Sequence, residues 1–204
     1  MKSKYSVQAV SLLLVLCVMA ALAMLTSDTF AGVLPECDSV DMSKDRRIGN
    51  IWAKPGFNIK QFSAIVVDRP GISSLPENAK LNYNEYAEIF QFNMMDKLKT
   101  SGYFKSVTSN KTAVDNNTLL LKSEIIEMNP GSTAARWAVG FGAGRGAVSV
   151  KSCLLAGGTE VVMCWHGRNV DISSLNGRAL LDRGTSVLAD RLYMYIDRLY
   201  NTGQ

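Results

Sequence analysis

Few residues in this sequence could do acid–base or metal chemistry. The chain has one histidine, His166, in the stretch MCWHGR, and neither C-x-x-C nor H-x-x-x-H spacing occurs. A serine or cysteine nucleophile would have to use this one imidazole as its base, and the G-x-S-x-G turn of serine hydrolases is absent. We therefore expect no catalytic residue, no metal and no cofactor. The alternative is a hydrolase-like enzyme that uses His166 or a carboxylate such as Asp171 as its base.

Glycine occupies every second position from Gly140 to Gly146 in the stretch RWAVGFGAGRGAVSV. A dinucleotide-binding turn needs the spacing G-x-G-x-x-G and a following helix, whereas the residues after Gly146 are typical of a strand. A period of two places alternate residues of a strand on one face. Gly140, Gly142, Gly144 and Gly146 are then predicted to form a bare face for close contact or assembly, or to supply a tight bend near Gly144.

Cys153 and Cys164 flank the turn signal Gly157-Gly158 on two predicted neighbouring strands. If the loop is symmetric about the two glycines, Cys153 faces Val162 and lies diagonal to Cys164. The Cβ atoms are then about 7 Å apart, which is too far for an unstrained bridge. A loop that is one residue longer on its C-terminal side places the two cysteines opposite each other. A Cys153–Cys164 disulfide is therefore possible, and its presence would report the register of the hairpin.

The N-terminus has the composition of an export signal. Lys2 and Lys4 precede an uncharged stretch from Ala9 to Leu25, and Thr29-Phe30-Ala31 offers small residues at the two positions that a signal peptidase recognises. We predict a signal peptide over residues 1–31, with an uncleaved N-terminal anchor as the alternative. Both alternatives place the rest of the chain outside the cytoplasm, in the periplasm or cell envelope.

Lipid modification is not expected, because the residue before each candidate cysteine is not small. Cys17 follows Leu16, and Cys37 follows Glu36. Cleavage after Ala31 would leave three cysteines in the mature chain. An odd number in an oxidising compartment leaves one thiol over, or pairs it between chains.

The elements that position these residues follow from hydrophobic periodicity and turn signals. Residues 32–60 are polar and without period, which indicates an irregular lead-in to a single domain over residues 61–201. Apolar residues at every fourth position predict a first helix that ends near Gly102 and a closing helix over residues 181–200. Short apolar runs predict strands at residues 62–68, 104–108, 119–128, 148–155 and 160–165.

With the glycine stretch counted as a further strand, the order is β-α-β-β-β-β-β-α after an N-terminal signal helix. This order predicts an α+β fold in which a mixed or antiparallel sheet packs against two helices. The net charge is +4 and the basic residues are scattered, so we expect no nucleic-acid partner.

Four stretches resemble a bacterial envelope family, the one defined by domain of unknown function 4410. They are the helix ending LKTSGYFKSV, the strand and turn IIEMNPGSTAARW, the glycine segment VGFGAGRGAVSVKSCLL and the closing helix RGTSVLADRLYMYI. The resemblance covers residues 62–200. The arrangement is also similar to the N-terminal domain of the Tol-system propeller protein and to the curli secretion lipoprotein, although fold alone does not give function.

The resemblance implies an exported envelope protein and supplies no catalytic residues. We expect a binding or assembly module whose partner is another envelope protein or a second copy. Membrane contact is expected only through an uncleaved N-terminus or through an assembly surface.

Overall fold

The described residues form a mixed sheet of seven strands with two helices. The computed structural model describes residue 34 and residues 37–78, 81–132, 144–171 and 176–203. These residues belong to one compact unit, Gly32–Gln204. The predicted signal helix over residues 1–31 lies outside the described residues.

The sheet has the strand order β1-β2-β7-β6-β5-β3-β4. β3 runs parallel to β4 and β5, and the other neighbouring pairs are antiparallel. The strands are β1 (Ser43–Asp45), β2 (Gly49–Ala53), β3 (Ala64–Val67), β4 (Ser106–Thr108), β5 (Thr118–Asn129), β6 (Gly146–Ala156) and β7 (Glu160–Asp171). Short 3₁₀ turns occur at Ile59–Gln61 and Lys111–Ala113.

Two helices cover one face of this sheet: α1 (Tyr83–Ser101) and α2 (Gly177–Thr202). The prediction of an α+β fold with a sheet packed against two helices is confirmed. α1 ends at Gly102, whose φ of 69° is the left-handed conformation that favours glycine at a helix C-cap. The predicted strand within the glycine stretch falls mostly outside the described residues.

The two helices run parallel to each other. Three contacts with the same sequence offset join them: Glu85 with Arg178, Asn93 with Ser186, and Lys97 with Asp190. At their C-terminal ends Tyr103 donates a hydrogen bond to Asp197, which raises the pKa of Tyr103 to about 12. Helix–helix contacts thus extend over the full length of α1.

The core lies between the helices and the face of the sheet that they cover, called here the front face. The apolar stripe predicted for the closing helix is buried in this core, with Leu188, Leu192, Tyr195 and Leu199 at most 3% exposed. Burial of this apolar stripe provides the hydrophobic free energy that holds α2 against the sheet.

β1 and β2 correct the prediction that residues 32–60 are an irregular lead-in. β2 pairs with β7, with Asn50 opposite His166 and Ala53 opposite Met163, and β1 pairs with the outer edge of β2. Both strands are short and without fully buried positions, so they lack the hydrophobic alternation on which sequence prediction depends. Backbone pairing to a strand far along the chain determines where they lie.

Candidate functional site

The face of the sheet opposite the helices, called here the back face, carries the functional candidates. Its apolar half contains Leu120, Leu155 and Cys164, and Leu34, Cys37, Val40 and Met42 of an N-terminal segment lie against it. Leu34 and Cys37 of this N-terminal segment are buried there. The segment therefore acts as a cover for sheet surface that the helices do not reach.

A disulfide fastens this segment to β7. It joins Cys37 to Cys164 across a sequence separation of 127, with Cα atoms 5.7 Å apart. The Cys153–Cys164 bridge that the sequence left possible does not form, because Cys164 is bonded to Cys37. Cys153 does lie directly opposite Cys164 and is buried beside it, but it is outside the bridge.

The hairpin register explains why the two cysteines of β6 and β7 face each other. Ala156 pairs with Glu160 across the glycine turn, and a bulge at Val162 then shifts the register by one residue. Cys153 and Cys164 thus lie on the back face, and Cys37 of the covering segment lies there as well. Local spacing in the sequence could not reveal this third cysteine, because its position depends on the fold of a distant segment.

Of the four predicted glycines, two are described. Gly140 and Gly142 lie outside the described residues, and Gly144 is in a turn with a φ of 68°. Gly146 begins β6, and a Cβ placed on it would lie 3.0 Å from Leu180 Cδ1 and 3.2 Å from Leu180 Cβ. The element that approaches Gly146 closely is therefore the first turn of α2, in the same chain.

Two further glycines that the sequence did not single out let α2 approach the sheet closely. A Cβ on Gly184 of α2 would lie 2.9 Å from Val148 Cγ2, and a Cβ on Gly167 of β7 would overlap the Trp165 ring and lie 2.9 Å from Leu188 Cδ2. Each is an isolated glycine without a repeat, so no spacing in the sequence distinguishes it from a glycine in a loop. Their role becomes visible only where helix and strand meet.

His166 lies on the polar half of the back face and contacts Ser149. Ser149 Oγ is 2.9 Å from His166 Nε2 and 3.2 Å from the carbonyl oxygen of Gly167. The Ser149 hydroxyl can donate either to that carbonyl or to Nε2, and the tautomer of His166 decides which. Ser149 is 3% exposed in the middle of a strand. The pair therefore joins β6 to β7, with the serine buried between them.

Burial lowers the pKa of His166, and the nearby cations Lys151 and Arg168 lower it further, whereas Glu127 opposes them. Arg168 in turn holds Glu127 through two hydrogen bonds, of 2.7 and 2.9 Å, and this contact lowers the pKa of Glu127. Lys151 pairs with Asp38 of the covering segment at 2.9 Å. His166 is thus a neutral imidazole within a network of paired charges.

The fold does not place Asp171, the alternative base, near His166. The two residues lie on β7 five positions apart, which places their side chains on opposite faces of the strand. The separation along the strand is about 16 Å. Asp171 instead lies 3.7 Å from Arg183 of α2. The geometry does not assemble an acid–base pair from these two residues.

Glu124 is a buried carboxylate that sequence reasoning missed. It is 3% exposed, and its Oε1 accepts hydrogen bonds from the hydroxyls of Ser73 and Ser74 and from the Ser74 backbone. A Cβ placed on Gly71 would overlap Glu124 Oε2. Glu124 therefore ties the loop after β3 to β5, which is a structural role.

Two grooves flank the turn Lys54–Phe57, with volumes of about 290 and 270 Å³. Neither is lined by His166 or Ser149. No group of three or more histidine, cysteine or carboxylate side chains suited to a metal ion occurs within the described ranges. In the part of the chain that the structure describes, no helix is long and apolar enough to span a membrane.

Comparison with known proteins identifies a family. The family model described as "Domain of unknown function (DUF4410)" matches residues 58–165. Two solved structures of PelC dodecamers from Paraburkholderia phytofirmans are similar to the chain. A PelC variant in space group C2 is 13% identical with a TM-score of 0.47, over 71% of this chain and 98% of that one. PelC in space group P6 is 12% identical with a TM-score of 0.44, over 70% of this chain and 94% of that one. No curated protein matches the sequence.

Proposed function

We propose that this chain, which belongs to the DUF4410 family, is an exported protein of the cell envelope whose domain binds or assembles and does not catalyse. The observation that carries the proposal of export is the Cys37–Cys164 disulfide. Its Cα separation of 5.7 Å lies within the range of native disulfides. Disulfides persist in oxidising compartments such as the periplasm and are rare in the cytosol.

The N-terminal sequence supports the same compartment. Lys2, Lys4 and the uncharged stretch from Ala9 to Leu25 have the order of an export signal. The sulfur of Cys37 cannot carry a lipid thioether while it is bonded to Cys164. A cleaved signal peptide or a retained N-terminal anchor therefore fits better than lipid attachment at Cys37.

Three observations support a role without catalysis. Ser149, the neighbour of His166, is 3% exposed in the middle of a strand. Asp171 lies on the other face of β7. The grooves beside Lys54–Phe57 do not include these groups. A catalytic site is expected to bring a perturbed titrating group and other polar groups together in one cavity.

Export is tested by the thiol state of the chain in intact cells. Cells are lysed in acid, free thiols are blocked with a maleimide, and disulfide-bonded cysteines are then reduced and labelled with a heavy maleimide. We expect Cys37 and Cys164 to carry the heavy label. A matched chain that lacks residues 1–31 stays in the cytoplasm and should carry it on neither. A native chain whose Cys37 and Cys164 are both reduced, recovered in the cytoplasmic fraction, would refute export.

Binding is tested by cross-linking in intact envelopes with a photoreactive residue at exposed surface positions. We expect a cross-linked species at defined positions, either with another envelope protein or with a second copy, identified by mass spectrometry. The chain without residues 1–31 is the matched control. An exported chain that stays monomeric and yields no position-specific cross-link would refute a binding role.

The 2.9 Å contact between Ser149 and His166 is the one observation that favours an enzyme. A fluorophosphonate probe that labels Ser149 in the folded protein, and fails to label Ser149→Ala, would support a serine hydrolase. We expect no labelling, because Ser149 is buried in the middle of a strand, where the probe cannot reach it.

A further inference from the structure

The outer edge of β7 is only half covered by β2. β2 pairs with β7 from Met163 to His166, and among the described residues no strand pairs with this edge over Gly167–Asp171. We call the outer edge of Gly167–Asp171 the open edge. A strand edge of this kind exposes backbone donors and acceptors that can pair with another extended segment.

The backbone groups at the open edge belong to Arg168 and Val170. The Arg168 carbonyl points outward, because it accepts a hydrogen bond of 3.0 Å from the side chain of Arg191 on α2. Alternate residues of a strand direct their N–H and C=O groups to the same edge, so those of Val170 point outward as well. The Arg191 guanidinium thus occupies an acceptor position that an added strand would use.

The surroundings of the open edge are basic. Arg46 and Arg47 are exposed on the turn before Gly49, and Gly49 itself lies against the backbone of His166 and Gly167. Arg183 and Arg191 reach the edge from α2, at Asp171 and at the Arg168 carbonyl. Two carboxylates contact this region: Asp171 lies 3.7 Å from Arg183, and Asp45 accepts the backbone N–H of Arg47 and pairs with Arg198 of α2. The edge therefore carries an excess of positive charge.

The two faces beside the open edge differ in chemistry. On the front side, Arg183 and Arg191 are eight positions apart on α2, which puts them on one side of the helix. On the back side, Val170 is 41% exposed. A strand added at this edge would direct alternate side chains to these two sides.

We propose that the open edge of β7 binds an extended acidic segment of a partner protein, in which acidic and apolar residues alternate. The segment replaces the Arg191 guanidinium at the Arg168 carbonyl and pairs with the backbone of Arg168 and Val170. Its acidic side chains face the arginines of α2, and its apolar side chains lie near Val170. Charge selects this occupant over a second copy, because two arginine-rich edges repel each other. This inference rests on the proposed binding function and names its site and partner chemistry.

The experiment measures fluorescence anisotropy of labelled peptides with the purified full chain. The probe is a glycine-flanked peptide of four Glu-Val repeats, and a peptide of four Lys-Val repeats tests the charge. Two further peptides carry N-methyl groups, one on every valine and the other on every glutamate. In an added strand, only one of these two sets of N–H groups points to β7.

We expect the Glu-Val peptide to bind one per chain and more weakly as salt increases. The Lys-Val peptide should bind at least about tenfold more weakly. One of the N-methylated peptides should lose binding and the other should keep it. The double variant Arg46→Glu, Arg47→Glu should weaken binding about tenfold, whereas the matched reversal Lys99→Glu, Lys105→Glu, exposed at the other end of the sheet, should not.

Several results would overturn the proposal. Equal binding of both N-methylated peptides and the parent peptide would show charge attraction without strand addition. Equal losses in the two double variants would show that the edge is not the site. Self-association that the Arg46→Glu, Arg47→Glu variant abolishes, without peptide binding, would make a second copy the occupant. Absence of all peptide binding would refute this inference alone, since position-specific cross-linking tests the binding function separately.

Discussion

Replacing Cys37 with alanine removes the disulfide that fastens the covering segment to β7, and its effect on stability can be estimated from the structure. The bridge closes a sequence separation of 127. A cross-link of this span restricts the unfolded chain by up to about 5 kcal/mol at 25 °C on the loop-entropy account. Because measured disulfides often contribute less than this limit, we expect Cys37→Ala to lower the free energy of unfolding by about 2–4 kcal/mol.

The assay is urea unfolding followed by circular dichroism, with the parent chain measured in the presence and absence of a reductant. Reduction of the parent should reproduce most of the loss seen in Cys37→Ala, and the variant itself should be insensitive to reductant. The matched control is Cys153→Ala. It removes a buried thiol that lies outside the bridge, so its stability should still fall when reductant is added.

Peptide mapping of the unreduced chain identifies the bridge independently of stability. We expect one peptide pair that joins Cys37 to Cys164. In Cys37→Ala, Cys153 lies opposite Cys164, so these two cysteines can form a new disulfide. The free thiols of the variant must therefore be counted before its free energy of unfolding is compared with that of the parent. A parent chain whose stability does not change on reduction, or whose mapped bridge is Cys153–Cys164, would refute the reasoning.

Three further predictions concern the core, the glycine contact and pH. Leu192→Ala should cost about 2–5 kcal/mol in urea unfolding because Leu192 is fully buried, whereas Met194→Ala, at a 43% exposed site on the same helix, should change stability by less than about 0.5 kcal/mol. Gly146→Val should cost about 1–3 kcal/mol by overpacking against Leu180, and Leu180→Ala in the same chain should reduce that cost; an unchanged melting temperature would exclude the close contact. Folding lowers the pKa of His166, so the unfolded chain binds more protons and stability should fall as the pH decreases through about 6.5. His166→Gln should flatten this dependence, and an identical pH profile for the variant would contradict the assignment.

Local patterns predicted the helices well because a helix is determined by neighbouring residues. Phe90, Met94 and Leu98 recur at every fourth position and are buried, and Gly102 supplies the left-handed C-cap. β5 could also be predicted from the sequence, because its apolar run is long and bounded by turn residues. These features need no information from distant parts of the chain.

β1, β2 and the partner of Cys164 could not be predicted in this way. β2 is half-buried along its length, and its position depends on backbone pairing with β7. Cys37 lies in a turn-rich segment that a periodicity search assigns to surface loops. Gly167 and Gly184 present the same difficulty, because a single glycine indicates close contact only when the opposing element is known.

The bulge at Val162 determines the chemistry of the candidate site. Ala156 pairs with Glu160, and without the extra residue this register would place His166 opposite Val150, on the front face beneath the helices. The bulge moves His166 to the back face, beside Ser149 and Lys151. The same shift brings Cys164 to the face where Cys37 arrives. One inserted residue thus determines both the disulfide and the surroundings of the only histidine, and no residue type in the sequence marks it.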